Sequence, residues 1–259
     1  MGQDNKEIEW LLKEKYNGEK SDAFFADCKK LALGEPLGYI IGHSPFLNCT
    51  IHLDSRPLIP RTETEFWTEK AIEEIKSYQQ SKAGLGLAEP EPLNIIDMCA
   101  GSGCIGVAVA KAIPNSHVDF AELSKDHIST IEKNIAANDV ATNRTNVEQS
   151  NIFSKFPEEK YHFILSNPPY INSDLNRVDQ NVVDFEPHLA LFGGHNGMEI
   201  INQLITEAKY HLERDGQLWI EHEPEQSKEL AVVAESHGFS TTTHKDQFGV
   251  ERYSVLVLQ

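Results

Sequence analysis

The residues of this chain best suited to chemistry close the stretch YHFILSNPPY, Tyr161 to Tyr170, where an apolar run stops at Asn167, Pro168, Pro169 and Tyr170. A side-chain amide oxygen and a proline carbonyl with no donor beside it can accept two N–H bonds from one amino nitrogen. Tyr170 can stack on the flat group that carries that nitrogen. The chemistry this suits is gripping a planar NH2. Each residue before a proline is pushed into an extended conformation, so Asn167 and Pro168 lose most of their freedom before a ligand arrives. Taken alone, an NPP segment is better read as a proline-rich turn that closes a strand. What shifts the balance is a second site upstream.

That second site is IIDMCAGSGCIG, Ile95 to Gly106, a strand running into a glycine turn and then a helix. Gly101 and Gly103 let the backbone pass close to a ligand, and the helix start offers free N–H groups. Glu122 ends the next strand, 21 residues after Gly101, the spacing at which an acidic side chain takes the two hydroxyls of a ribose. An adenosine cofactor is the expectation. Gly101, Gly103 and Gly106 also spell G-x-G-x-x-G, so an NAD-binding oxidoreductase is the competing reading. Asp97, inside the strand, would crowd a pyrophosphate but could sit near the cationic amino acid half of S-adenosylmethionine.

Both sites need rigid elements to hold them. Beyond Ser81 to Pro92, a Gly- and Pro-rich linker, strands and helices alternate: strand Asn94 to Met98, helix Gly103 to Lys111, strand His117 to Leu123, helix Lys125 to Asn138, strand Asn146 to Ser150, then the strand into NPPY. Such alternation predicts a parallel sheet with helices on both faces, and ligands at the strands' carboxyl ends. Further on, Gly197 to Leu212 and Glu225 to Ser236 read as helices, and Gln217 to Glu221, Phe239 to His244 and Arg252 to Leu258 as strands. Glu221, His222 and Glu223 read as a polar strand terminus. Asn172 to Pro187 is long, polar and unpatterned, a place for substrate contacts. Ahead of the linker, Ile8 to Tyr16 and Asp22 to Leu33 predict two short helices, and Tyr39 to Ile41 with Phe46 to Leu53 a hairpin. Thr62 and Glu65 of LIPRTETE spell a capping box for the helix through Trp67, Ile72 and Ile75. Arg61 has no such reason to be there, although a solvated surface arginine is the plainer reading on sequence alone.

Composition narrows the function class. The 259 residues are 40% hydrophobic, enough for one large domain with a small appendage. Four cysteines without a CxxC pair read as reduced cytoplasmic thiols, with no metal site expected. The polar, acidic start is unlike a signal peptide, and Lys6 breaks the myristoylation pattern that Gly2 opens. No run reaches the length of a membrane span. A formal charge of −17 argues against a free nucleic acid partner and favours a basic protein surface.

D-x-x-x-G-x-G, the acidic residue closing the next strand, and NPPY resemble class I methyltransferases that modify planar amino groups. More narrowly, GEPLGYIIG, LIPRTETE, SNPPYI, FEPHLALFGG with Gly197 behind it, and LWIEHEPEQ resemble the peptide chain release factor glutamine methyltransferases, the PrmC or HemK family, from about Gly34 to the C-terminus. The resemblance implies an α/β class: a Rossmann-like, mostly parallel seven-stranded sheet with a reversed last hairpin. It divides the chain into a short helical domain over 1–35, a hairpin and connecting helix over 36–82, and a methyltransferase domain over 83–259. It implies S-adenosylmethionine as cofactor and the glutamine of a release factor GGQ motif as substrate. By position, Cys99, Ala100, Gly101, Ser102 and Gly103 would wrap the methionine part, with Asp97 beside them. Glu122 would hold the ribose, and Asn151 and Ile152 would flank the adenine. Asn167, Pro168, Pro169 and Tyr170 would hold the glutamine, with Arg61 on the substrate side. The chain departs from the family pattern at Asn151, Ile152 and His188, where Asp, an aromatic and Arg are usual. A monomer in the cytoplasm is expected. A glutamine methyltransferase of a ribosomal protein, an adenine amino methyltransferase of nucleic acid and an inactive binding module are the other readings.

Overall fold

The computed structural model describes residues 3–83, 91–174 and 179–259. Three helices open it: α1 (Gln3–Glu14), α2 (Asp22–Ala32) and α3 (Leu37–Ile41). They close on a small core of Leu11, Phe24 and Ile40. Ser21 caps α2 by accepting from the Phe24 N–H at 3.3 Å. The buried carboxylate of Asp27 ties the first two helices through Lys15, Lys30 and Tyr16 at 2.7–2.8 Å. Tyr39 to Ile41 therefore lies in α3 and not in a strand. Three apolar residues carry no period of their own, while Pro36 starts the turn and Gly42, at φ 93°, closes it in the left-handed region.

The hairpin follows as β1 (His43–Phe46) and β2 (Cys49–His52), then α4 (Thr62–Ala83). The capping box does not form. Glu65 reaches out of α4 to the Leu47 N–H in the hairpin turn, and Thr62 gives its hydroxyl hydrogen to Glu63. Most of the linker, 84–90, lies outside the described residues.

Next come β3 (Leu93–Met98), α5 (Cys104–Ala112), β4 (Ser116–Glu122), α6 (Lys125–Ala137), β5 (Thr145–Gln149) and β6 (Tyr161–Ser166). After β6 lie α7 (Gln180–Phe185), α8 (His188–Leu191), α9 (Glu199–Ala208), β7 (Leu212–Glu221), α10 (Ser227–Ser236), β8 (Phe239–Lys245) and β9 (Glu251–Leu258). Part of the polar stretch 172–187 is thus helical in α7, started by Asp179, which accepts from the Asn181 N–H.

Among the described residues, seven strands form one sheet in the order β5-β4-β3-β6-β7-β9-β8, parallel except where β9 runs against both of its neighbours. Strands β3 and β6 are central and buried on both faces, so their side chains alternate between two cores. Ile95, Phe163 and Leu165 pack with Trp67 and Val107 on one face, while Ile96, Ile164 and Met98 pack with Ile201 and Leu204 on the other. The chain runs outward from β3 through β4 and β5, then returns to β6 on the other side. This reversal opens a crevice at the carboxyl ends of β3 and β6. No described helix is long and apolar enough to cross a membrane.

Helix α6 and its C-cap clasp the hairpin with two side-chain amides one turn apart, Asn134 and Asn138. Asn134 accepts from the His52 N–H at 2.7 Å and donates to the His52 carbonyl at 3.0 Å; Asn138 does the same to Thr50 at 3.0 and 2.9 Å. Both amides thereby imitate a strand edge. Asn134 also donates to the Ser102 carbonyl at 2.9 Å, which fastens the hairpin to the glycine turn.

Candidate active site

Two loops meet where the crevice opens. Met98 and Ser166 are partners in the β3–β6 register, and the Ser166 hydroxyl donates to the Met98 carbonyl at 2.8 Å. Cys99 and Asn167 thus leave the sheet side by side. The glycine turn is a run of left-handed backbone, with φ of 62° at Cys99, 56° at Gly101 and 76° at Gly103. At Gly101 nothing lies within 4 Å of where a side chain would start, so the turn borders open space. Glu122 braces it: Oε2 accepts from the Gly101 N–H at 2.7 Å and Oε1 from the Ser124 N–H at 2.8 Å. A carboxylate has about four lone-pair sites, so each oxygen retains one for a ligand.

A cavity of about 380 Å³ over this turn is lined by Cys99, Ala100, Gly101, Ser102, Glu122, Asn151, Ile152, Arg61, Asn167 and Pro169. Beside it, a cavity of about 600 Å³ is lined by Asn167, Pro168, Tyr170 and Arg61, with Glu223 and Gln226 on its far wall. Asn167 and Arg61 border both. Asp97 and Gly103 line neither. Asp97 is fully buried beneath the turn, where Oδ2 accepts from the Gly106 N–H at 2.8 Å and Oδ1 has no partner among the described residues. Burial pushes its carboxyl well above the ordinary range, against the pull of the Gly106 N–H. Burial also pushes the Cys99 thiol up to about 12, so it stays protonated at neutral pH and is no nucleophile.

Arg61 is paired. Its guanidinium meets the buried carboxylate of Glu186, which also accepts from the Ile59 N–H at 3.2 Å. Two of the sequence motifs, LIPR and FEP, are therefore one contact. His188, the residue after FEP, anchors locally by bonding the Val183 carbonyl at 2.9 Å and packing edge-on against Phe192.

The NPPY backbone is held from below. The Gln226 amide donates to the carbonyls of Tyr170 at 2.8 Å and Asn196 at 2.9 Å, and Ile171 donates to the Leu191 carbonyl at 2.9 Å and accepts from the Gly193 N–H at 3.0 Å. A Cβ on Gly193 would collide with the Pro169 carbonyl, and one on Gly197 with the Tyr170 carbonyl. Among the described residues no hydrogen bond ends on the Pro168 carbonyl. The Asn167 Nδ2 donates to the Thr64 hydroxyl at 3.1 Å.

Glu221, read from sequence as part of a polar strand end, is the hub of the site. It accepts from the Thr64 hydroxyl at 2.7 Å, the Trp67 indole N–H at 2.6 Å and the Tyr170 hydroxyl at 2.9 Å. Burial pushes its carboxyl up, and the three donors oppose that. Tyr170 is pushed well up as well, by burial first and by the Glu221 charge second. Thr64 was hidden in the sequence because its neighbours Thr62 and Glu65 supply a ready helix-capping explanation. The one available signal was that Glu221 ends a buried strand, where an unpaired carboxylate is costly.

The cavity pair can be set beside known proteins. The family model described as the methyltransferase small domain matches residues 86–185. A release factor glutamine methyltransferase of Flavobacterium psychrophilum is 33% identical over 221 residues, spanning 84% of this chain and 74% of that protein. The chain belongs to the release factor glutamine methyltransferase family. A member from Lactococcus lactis is 29% identical over 252 residues, 95% of this chain and 86% of that protein. Among solved structures, the hMettl16 catalytic domain superposes with a TM-score of 0.62 at 13% identity, covering 92% of this chain and 82% of that one. Identity that low speaks for the fold alone, which is the class I methyltransferase sheet with β9 reversed. Family membership removes the dinucleotide reading of Gly101, Gly103 and Gly106. The third glycine serves packing: a Cβ there would enter the Phe120 ring and lie 2.9 Å from the Asp97 Cβ.

Proposed function

We infer that this chain transfers a methyl group from S-adenosylmethionine to the side-chain amide nitrogen of the glutamine in the GGQ motif of a peptide chain release factor. The observation that carries the reading is that Asn167 borders both cavities, the one over the glycine turn and the one beyond NPPY. A donor in the first and an amide in the second would meet at that side chain.

The residues over the glycine turn fit the cofactor. Glu122 keeps free lone pairs for two ribose hydroxyls, the open side of Gly101 admits the methionine part, and buried Ile152 with Asn151 forms a wall for adenine. The Asp97 carboxyl, buried beneath the turn and lining neither cavity, would favour an ammonium group above it through its charge and not by contact. When bound, S-adenosylmethionine supplies an electrophilic methyl group on a sulfonium. The protein's part is to present the nucleophile. An amide nitrogen is weak because its lone pair is shared with the carbonyl. Asn167 Oδ1 and the Pro168 carbonyl accept its two N–H bonds and turn the lone pair toward the methyl. Those bonds strengthen as positive charge builds on the nitrogen, so they favour the transition state over the ground state. Alignment of this kind is worth roughly 7 kcal/mol or more in good cases. The proton leaves afterwards, so no strong base is needed.

Incubation of the chain with methyl-labelled cofactor and a purified release factor tests the reading. Label should enter the factor and not its GGQ→GGA variant. Equal labelling of both would overturn the assignment.

A further inference from the structure

We propose that Thr64 is a positioning residue that fixes which end of the Asn167 amide faces the cleft, and that it thereby sets the preference for an amide over a carboxylate in the acceptor. The inference rests on the glutamine reading of the site for its second half only. A threonine hydroxyl has one hydrogen to give. The Thr64 hydroxyl lies 2.7 Å from Glu221 Oε2 and 3.1 Å from the Asn167 amide nitrogen, in a residue only 1% exposed.

The direction of the first bond is set by the rest of the hub. Glu221 Oε2 also receives the Trp67 indole N–H, which can only donate, and Oε1 receives the Tyr170 hydroxyl. With the Trp67 N–H on Oε2 and the Tyr170 hydroxyl on Oε1, each oxygen already accepts from a group other than Thr64, the arrangement of a carboxylate and not of an acid with a hydrogen to spare. Thr64 therefore spends its hydrogen on Glu221 and can only accept from Asn167. Only the NH2 end of Asn167 satisfies that, which leaves Oδ1 as the end that meets a ligand. The sense of a hydrogen bond is relayed from Glu221 through Thr64 to Asn167.

An oxygen in that position welcomes a group that brings N–H and repels a carboxylate. Glutamine and glutamate are nearly the same size, so shape cannot separate them. A site that offers only acceptors can, because a bound glutamate would set a negative charge against the Asn167 and Pro168 oxygens.

Thr64→Val keeps the shape and removes the hydroxyl; Thr64→Ser keeps the hydroxyl. We expect Thr64→Val to lose roughly 10- to 100-fold in kcat on a GGQ domain, with cofactor affinity near the parent's and a melting temperature lowered by the lost buried hydrogen bonds but the fold retained, while Thr64→Ser stays within about 3-fold. The GGQ→GGE domain should inhibit Thr64→Val at least about 10-fold more tightly, relative to the KM for GGQ, than it inhibits the parent. An unchanged kcat and an unchanged GGQ-to-GGE ratio in Thr64→Val would overturn the proposal. So would Thr64→Ser falling as far as Thr64→Val, since packing and not the hydroxyl would then matter. The orientation is also readable without any substrate. In parent protein, the Asn167 side-chain amide resonance, assigned by its absence from Asn167→Ala, should show one slowly exchanging N–H. Two fast-exchanging hydrogens would mean the amide is reversed and the relay wrong. If the parent methylates no GGQ domain while that slow N–H is present, the glutamine reading falls and the relay stands.

Discussion

The side-chain amide of Asn167 has one end tied to Thr64 and the other free toward two cavities, and the residues around it are arranged by what each can donate or accept. Asp97 is the parallel case at the other loop. One of its oxygens is satisfied by Gly106 and the other has no partner among the described residues, while burial holds its carboxyl well above the ordinary range. Because the charged form is the one that suits an ammonium group, S-adenosylmethionine should bind more tightly as pH rises through that raised pKa and more weakly below it. Calorimetric titration across a pH series above the ordinary carboxylate range should show this slope in the parent, and Asp97→Asn should flatten it. A parent affinity independent of pH would separate Asp97 from the cofactor. At this scale the sequence was partly legible. Asn167, Gly101 and Glu122 announce themselves because each sits in a local pattern whose chemistry is self-contained. Thr64 and Glu221 do not: they stand 157 positions apart, and neither periodicity nor spacing carries a contact of that range.

At the scale of elements, the NPPY loop is held because backbone is packed directly beneath two of its carbonyls, those of Pro169 and Tyr170. Gly193 and Gly197 let their own backbone approach Pro169 and Tyr170 where a side chain would collide, and Gly197 is also left-handed at φ 71°. Gly197→Ala should therefore displace Tyr170, cost roughly 1–3 kcal/mol in stability through overpacking, and reduce kcat far more than it changes cofactor affinity. Urea unfolding with parallel kinetics measures both; full activity in a folded Gly197→Ala would show that the loop tolerates movement. The central strands and their helices could be read from the sequence to within a residue or two at most ends, since buried parallel strands are continuous apolar runs. Short pieces were not. Tyr39 to Ile41 gave too few residues to reveal a period, and the true hairpin, His43–Phe46 with Cys49–His52, is fixed by Asn134 and Asn138 of a distant helix. Thr62 and Glu65 had the spacing of a capping box, but the Leu47 N–H claimed Glu65 instead.

For the molecule as a whole, strand order places both loops at the one crevice where the sheet reverses direction, so a cofactor and a peptide can approach from different sides of Asn167. A formal charge of −17 gives the molecule a long-range field that draws basic partners and slows acidic ones. With a release factor that presents a basic surface as substrate, kcat/KM should fall as salt rises from about 0.02 to 0.3 M, where screening shortens to a few ångströms, while kcat stays level. Stopped-flow or steady-state kinetics across that range checks it. A salt-independent kcat/KM would mean that charge plays no part in the encounter.

The account depends most on Asn167 holding the accepting amide without holding the cofactor in place. The measurement is paired: single-turnover methylation of a GGQ domain, and S-adenosylmethionine titration, on parent and Asn167→Ala. The expected result is a loss of at least about 100-fold in the methylation rate with a cofactor Kd within about 3-fold of the parent. Methylation at near the parental rate would contradict it.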